Sequence, residues 1–396
     1  MTKLGLVAMV SVLLVSPAHG KRPPPPPPPA PIDLAALADK LVGVSANVKQ
    51  GEIVMIEGPV EQAPLIEQLA ISVRKRGAHP LTSLMLSEVG HKKLYEAVPA
   101  KFDAQVPGAQ LALAKVIDVK IVIDPGLDPA VAAILPASRR ATVEKAWRQV
   151  IDANEKHHVR VIEIGNDLTP TAWRARMFGI SDGELFKLFW DGVSADHAAI
   201  EAKAAVMKAA LGRGAELRIT HPNGTDLTVK IRGRKALASD GVISDADIKA
   251  RGASVRVWLP AGEVYITPVP GTAEGTIVDD RALIEGTEVT GLRASVKAGK
   301  ITTIAADAGW DTAKARYDAA GPRTSEIGVI DFGINPAVRA RGKLESWVAA
   351  GTVTITAGGN TWAGGNNKEP FVLDFKLTGA TVTLDGKPLV DAGVLK

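Results

Sequence analysis

Lys120-Ile121-Val122-Ile123-Asp124, a helical stretch from Ser138 to Glu155, and His158-Val159-Arg160-Val161-Ile162-Glu163 decide the fold. Both apolar runs are short, rich in β-branched residues and poor in polar alternation, as in strands covered on both faces. A helix between two such strands is a crossover, so the strands are expected to be parallel. Upstream the alternation repeats. Ile53-Val54-Met55-Ile56-Glu57-Gly58 reads as a buried strand, and Ala63 to Arg76 as a helix stopped by Gly77. His79-Pro80 then leads into an extended run from Leu81 to Leu86, and Asp33 is placed to cap a first helix from Ile32 to Ser45. No G-x-G-x-x-G follows the first strand, so nothing supports a dinucleotide site.

Downstream, Ser181 opens a helix through Phe189, and a further helix from Ala195 to Ala210 leads out of this region. Beyond Gly212 the texture changes to short strands between Gly, Asn and Asp turns: 216–219, 227–231, 275–278, 294–296 and 351–356. The expected class is α/β: an N-terminal parallel-sheet α/β domain over 33–195, then a β-rich α+β C-terminal domain over 196–396. No internal repeat is present.

Residues 1–20 read as a secretory signal. Lys3 precedes an uncharged apolar run from Leu4 to Val15, and Ala18-His19-Gly20 offers small residues for cleavage. That run is too short for the ~20 apolar residues of a membrane span, so no membrane anchor is expected after cleavage, and the protein is expected to be periplasmic or secreted. Residues 21–32 contain Pro23 to Pro29 and read as a stiff polyproline tether. The chain has no Cys, which removes lipid attachment at cysteine, disulfides, thiol nucleophiles and zinc–thiolate sites. Its 47 basic and 43 acidic residues are scattered. Only 74–76 and 232–235 cluster, without interleaved aromatics, so nucleic acid is not an expected partner.

A set of ordered phrases adds a family. Val48-Lys49-Gln50-Gly51-Glu52 and Lys75-Arg76-Gly77-Ala78-His79-Pro80 come first, then Asn223-Gly224-Thr225-Asp226, Ser239-Asp240-Gly241 and Leu259-Pro260-Ala261-Gly262-Glu263-Val264. Ile327-Gly328, Gly333-Ile334-Asn335-Pro336, Gly351-Thr352, Gly364-Gly365-Asn366-Asn367 and Asp374 follow. Their order resembles the thermophilic metalloprotease family, the leucyl aminopeptidase-like group of aminopeptidases T, S and II. The resemblance implies a homodimer, a peptide ligand, and a pair of zinc or cobalt ions held by Glu, Glu, His, His and Asp with a nearby Tyr.

Laid on this chain, the first Glu is Glu263 and the Asp is Asp374. The second Glu falls on Val329, the two His on Thr354 and Val372, and the Tyr region reads Asn360-Thr361-Trp362-Ala363. His221 is the last histidine, so the C-terminal stretch has no imidazole to offer, whereas a catalytic zinc usually takes at least one His or Cys. Two readings stay open. Asp331, two residues beyond Val329, shares its face on a strand and, with Glu326 near, could complete a carboxylate site with Glu263 and Asp374. Otherwise Glu263 and Asp374 are hydrogen-bonding groups and Asp331 is a solvated neighbour. His91 and His197 read as exposed helical positions, His157 and His158 as a helix end. The expected function is that of an aminopeptidase-family protein with a degenerate metal site, in a binding or structural role. The alternative is a metal-dependent aminopeptidase using carboxylates.

Overall fold

The computed structural model describes residues 32–284, 286–340 and 342–396; the signal and most of the tether lie outside the described residues. Asp33 caps the first helix, Leu34–Lys40, by accepting from the Ala35 and Ala36 N–H groups. This helix is shorter than the sequence pattern predicts, because 41–45 wind as a π-helical turn. The Arg76 guanidinium donates to the Asp39 carbonyl there, and only Gly43 leaves room for it: a Cβ would fall 1.9 Å from Arg76 Nη2.

The strands in chain order begin with β1 (Ile53–Pro59), β2 (His79–Met85), β3 (Val119–Ile123) and β4 (Arg160–Ile164). Next come β5 (Glu216–Thr220), β6 (Asp226–Lys230), β7 (Ala236–Ser239), β8 (Arg256–Leu259) and β9 (Glu263–Ile266). A long hairpin of β10 (Glu274–Ile284) and β11 (Thr287–Lys297) is followed by β12 (Lys300–Ala305), β13 (Ile327–Gly333), β14 (Thr352–Gly358) and β15 (Val372–Thr378). The last are β16 (Thr381–Leu384), β17 (Lys387–Asp391) and β18 (Val394–Leu395).

The described residues build three sheets. The first is five-stranded and parallel, in the order β2-β1-β3-β4-β8. Helix Ala137–Lys156 is the crossover between β3 and β4, as the opening motif requires. The second is eight-stranded, β12-β11-β10-β6-β5-β16-β17-β18, and the third five-stranded, β15-β14-β13-β9-β7. The fold is thus an α/β parallel-sheet region followed by a β-rich region.

One connection matters for the site. β8 belongs to the parallel sheet, yet Pro260-Ala261-Gly262 carries the chain directly into β9 of the third sheet. The carboxyl end of the parallel sheet is thereby tied to one face of the third sheet. The other face of the third sheet presents Val264, Ile266, Ile330, Phe332, Val353 and Phe375 to a core shared with β5, β6 and β10. Every residue of β9, β13 and β14 is buried, so neither face is solvated.

Candidate functional site

Strand pairing brings the family positions onto one surface. Asp331 pairs with Tyr265 on β9 and with Thr354 on β14, and Thr354 pairs with Lys376 on β15. Tyr265, Asp331, Thr354 and Lys376 therefore form one row across four strands, on one face. Beside it runs a second row, Val329, Thr356 and Asp374. Glu263, opposite Gly333, flanks the first row on the same face, and Val372 lies two residues before Asp374. The five positions named from sequence are all on this face. The carboxyl groups on this face are Glu263 and Asp374 from the family positions and Asp331 beside them.

Each has a distinct environment. Glu263 is 2% exposed, and its Oε1 accepts a 2.8 Å hydrogen bond from Asn166 Nδ2. Asn166 follows β4, at the carboxyl end of the parallel sheet. Burial pushes the Glu263 carboxyl up to about 8 against the pull of that hydrogen bond, with the Asp167 charge adding to the rise. Asp331 is 1% exposed, and neither carboxyl oxygen has a hydrogen-bond partner. Burial, with Glu263 second, holds it well above the usual carboxylate range, so burial favours the neutral form of both groups. The solvated reading of Asp331 does not hold: sheet pairing on both sides seals it. The Tyr265 hydroxyl is also buried without a partner. Asp374 accepts from Thr356 Oγ1 at 2.8 Å, and burial raises it to about 6 while Lys376 opposes the shift. Glu326 turns elsewhere, pairing with Arg323 at 2.8 Å.

The place of the second family Glu is apolar. Val329 packs with Leu237, Tyr265 and Ala363. Over this cluster lies Trp362, whose ring centroid is 5.1 Å from Tyr265, 5.5 Å from Trp258 and 5.7 Å from Trp347. Three aromatic rings, Tyr265, Trp258 and Trp362, thus pack in the cluster that holds Val329, and Trp347 packs against Trp362. The residues present do not fit a zinc or cobalt pair. Thr354 and Val372 offer no imidazole, and Val329 no bridging carboxylate. Among the described residues, no group of three or more His, Cys, Asp or Glu is arranged to hold a metal ion.

What remains open is a cleft beside the face, of about 370 Å³, where Asp374 and Lys376 meet Asp167, Asp279, Glu345 and Trp173. Neither Glu263 nor Asp331 lines it. Asp167 accepts from Ser346 Oγ at 2.6 Å, the Trp347 N–H at 3.2 Å and Lys376 Nζ at 2.7 Å. Burial raises Glu345 to about 7. The sequence reading missed Asn166, Asp167 and Lys376. Lys376 was within reach of the period-2 argument that picked Asp331, being two residues beyond Asp374. Asn166 and Asp167 had no such signal, since only the fold brings the turn after β4 to β9 and β15. His197, expected to be exposed, is 4% exposed: it is tucked against Gly241, where a Cβ would fall 2.6 Å from the ring.

The comparisons with known proteins bear on the fold and the family. In structure the chain is similar to wild-type AmpT from Thermus thermophilus, with a TM-score of 0.71 at 19% identity, covering 91% of this chain and 98% of that one. It is also similar to 2,5-dihydroxypyridine dioxygenase from Pseudomonas putida KT2440, with a TM-score of 0.58 at 14% identity, covering 92% and 98%. At such identities the likeness shows the fold. No curated protein matches it in sequence. A family profile described as thermophilic metalloprotease (M29) matches residues 32–331, ending before the strands that carry Thr354, Val372 and Asp374. The chain belongs to the thermophilic metalloprotease family, M29.

Proposed function

We propose that this chain is an exported member of its family in which the metal centre has been dismantled, and that it acts by binding rather than by peptide hydrolysis. The observation that carries this reading is Val329 in the apolar cluster with Leu237, Tyr265 and Ala363, against which Trp258 and Trp362 pack. An apolar side chain there can neither bridge two ions nor admit the water they would activate. With no metal-polarised carbonyl and no activated water, this face lacks the means to cleave a peptide bond. Leucyl-arylamide hydrolysis with added Zn²⁺ or Co²⁺ tests it: background rates are expected, and metal-dependent turnover would refute it.

Export rests on the leader over residues 1–20, and N-terminal sequencing is expected to find a mature chain starting near Lys21. The family resemblance supports a homodimer with a peptide ligand in the cleft. Light scattering reads the first; a particle of monomer mass counts against it.

One observation favours the alternative of a carboxylate-based metal site. Asp331 has two unpartnered buried oxygens on the same face as Glu263 and Asp374, and oxygen-only sites suit Mn²⁺ or Ca²⁺. Saturable Mn²⁺ binding weakened by Glu263→Gln would establish that alternative.

A further inference from the structure

We infer that the Lys376 ammonium takes the place of the metal charge on this face, so that the cation is a covalent part of the chain. The inference rests on the dismantled-site reading above and assigns a role to a residue outside the family's ligand set.

Position comes first. Lys376 lies two residues beyond the retained Asp374 on β15 and directly opposite Thr354, where the first family His would stand. Its side chain therefore rises from the same face as those ligand positions. Surroundings come second. The side chain is 19% exposed, and Nζ lies 2.7 Å from Asp167 Oδ2. It also lies 5.7 Å from the centre of the Trp347 ring, whose face favours a cation. Asp374, Glu345 and Asp279 line the same cleft, and the Lys376 charge acts on all three. Five carboxyl groups, these four and Asp124, line the one partly desolvated cavity and repel one another unless a positive charge sits among them.

The other cations of the cleft are committed elsewhere. Arg281 donates to Glu288 and to the Met177 and Lys343 carbonyls, and Lys343 pairs with the same Glu288. Arg174 donates to the Thr169 carbonyl and stacks on Trp173. Lys376 alone among these four is paired with an acid of the cleft floor. A divalent ion could not share this position with a fixed ammonium. Remove the ammonium, and the acids of the cleft keep their charge with no fixed cation among them to repel an ion, although among the described residues they are not arranged as a ready-made metal site.

The test is calorimetric titration with Mn²⁺ of the full chain and of Lys376→Ala and Lys376→Arg. The inference predicts no saturable binding to the unaltered protein or to Lys376→Arg, which keeps the charge. It predicts a gain in affinity of about tenfold or more in Lys376→Ala. A folded Lys376→Ala that gains no Mn²⁺ affinity, beside an unaltered protein that binds none, overturns this inference and leaves the dismantled-site reading standing. Saturable Mn²⁺ binding to the unaltered protein overturns both. If Lys376→Ala does not fold, the double variant Lys376→Ala, Asp374→Asn decides. Recovery of a folded chain when one acid is also removed supports the charge role, and failure to recover contradicts it.

Discussion

Asn166 Nδ2 donates to Glu263 Oε1 across 2.8 Å, joining the turn after the fourth parallel strand to the first strand of the third sheet. The retained family carboxyl is thus held by an amide rather than aimed at a metal. Its second anchor is burial at 2% exposure, which favours the neutral acid. This arrangement makes the face sensitive to proton activity.

Stability should fall as pH rises from about 5 to about 8. The fold moves Glu263 from 4.5 to about 8 and Asp374 from 3.8 to about 6, both through burial. A carboxyl with a raised folded value contributes stability that is complete below its unfolded value and is lost as pH climbs through the folded one. Glu263→Gln keeps the amide contact without the titration. Urea unfolding across this range should be flatter in the variant, the difference growing by up to about 1.4 kcal/mol per pH unit between the unfolded and folded values. Parallel profiles would show that Glu263 is not the raised group.

His197 should act in the opposite direction. Burial, with the nearby Lys40 charge, lowers it from 6.5 to about 4. The stability it confers is present above 6.5 and lost as pH falls toward 4. His197→Gln should reduce the acid-side loss in the same unfolding series, and an unchanged acid limb would contradict the assignment.

Restoring the family acid at the second position should damage the fold. Val329→Glu places a carboxyl into the buried cluster with Leu237, Tyr265 and Ala363, where loss of water opposes its charge. A loss of about 3 kcal/mol in urea unfolding is expected, without any gain of zinc. Zinc uptake by this variant would mean that the lost Glu was the only missing element.

Trp362→Ala should cost about 3–5 kcal/mol and disturb the near-ultraviolet dichroism, because one ring supports contacts with Trp258, Tyr265 and Trp347. Trp362→Phe should lose less. A neutral Trp362→Ala would show that the cluster does not fill the old site.

The sequence carried the parallel sheet well, because Val119–Ile123 and Arg160–Ile164 are short strands with no exposed residue around one long helix. It carried β9 and β13 poorly. Both are buried on two faces, so neither shows alternation, and β13 also holds Asp331, a residue type that argues against burial. The family phrases placed Glu263 and Asp374 on the correct face. They could not foresee that Glu263 would be sealed while Asp374 opened to a cleft, since that division depends on which strands the turn at Asn166 and Asp167 covers. Nor could composition reveal that Lys376 meets Asp167, a contact across 209 residues of chain.

The most direct measurement is the metal content of the purified protein after exposure to Zn²⁺ and removal of the free ion, read beside peptidase turnover. The account predicts far less than one zinc per chain and hydrolysis indistinguishable from background. Stoichiometric zinc, with turnover abolished by Glu263→Gln or Asp374→Asn, would contradict it.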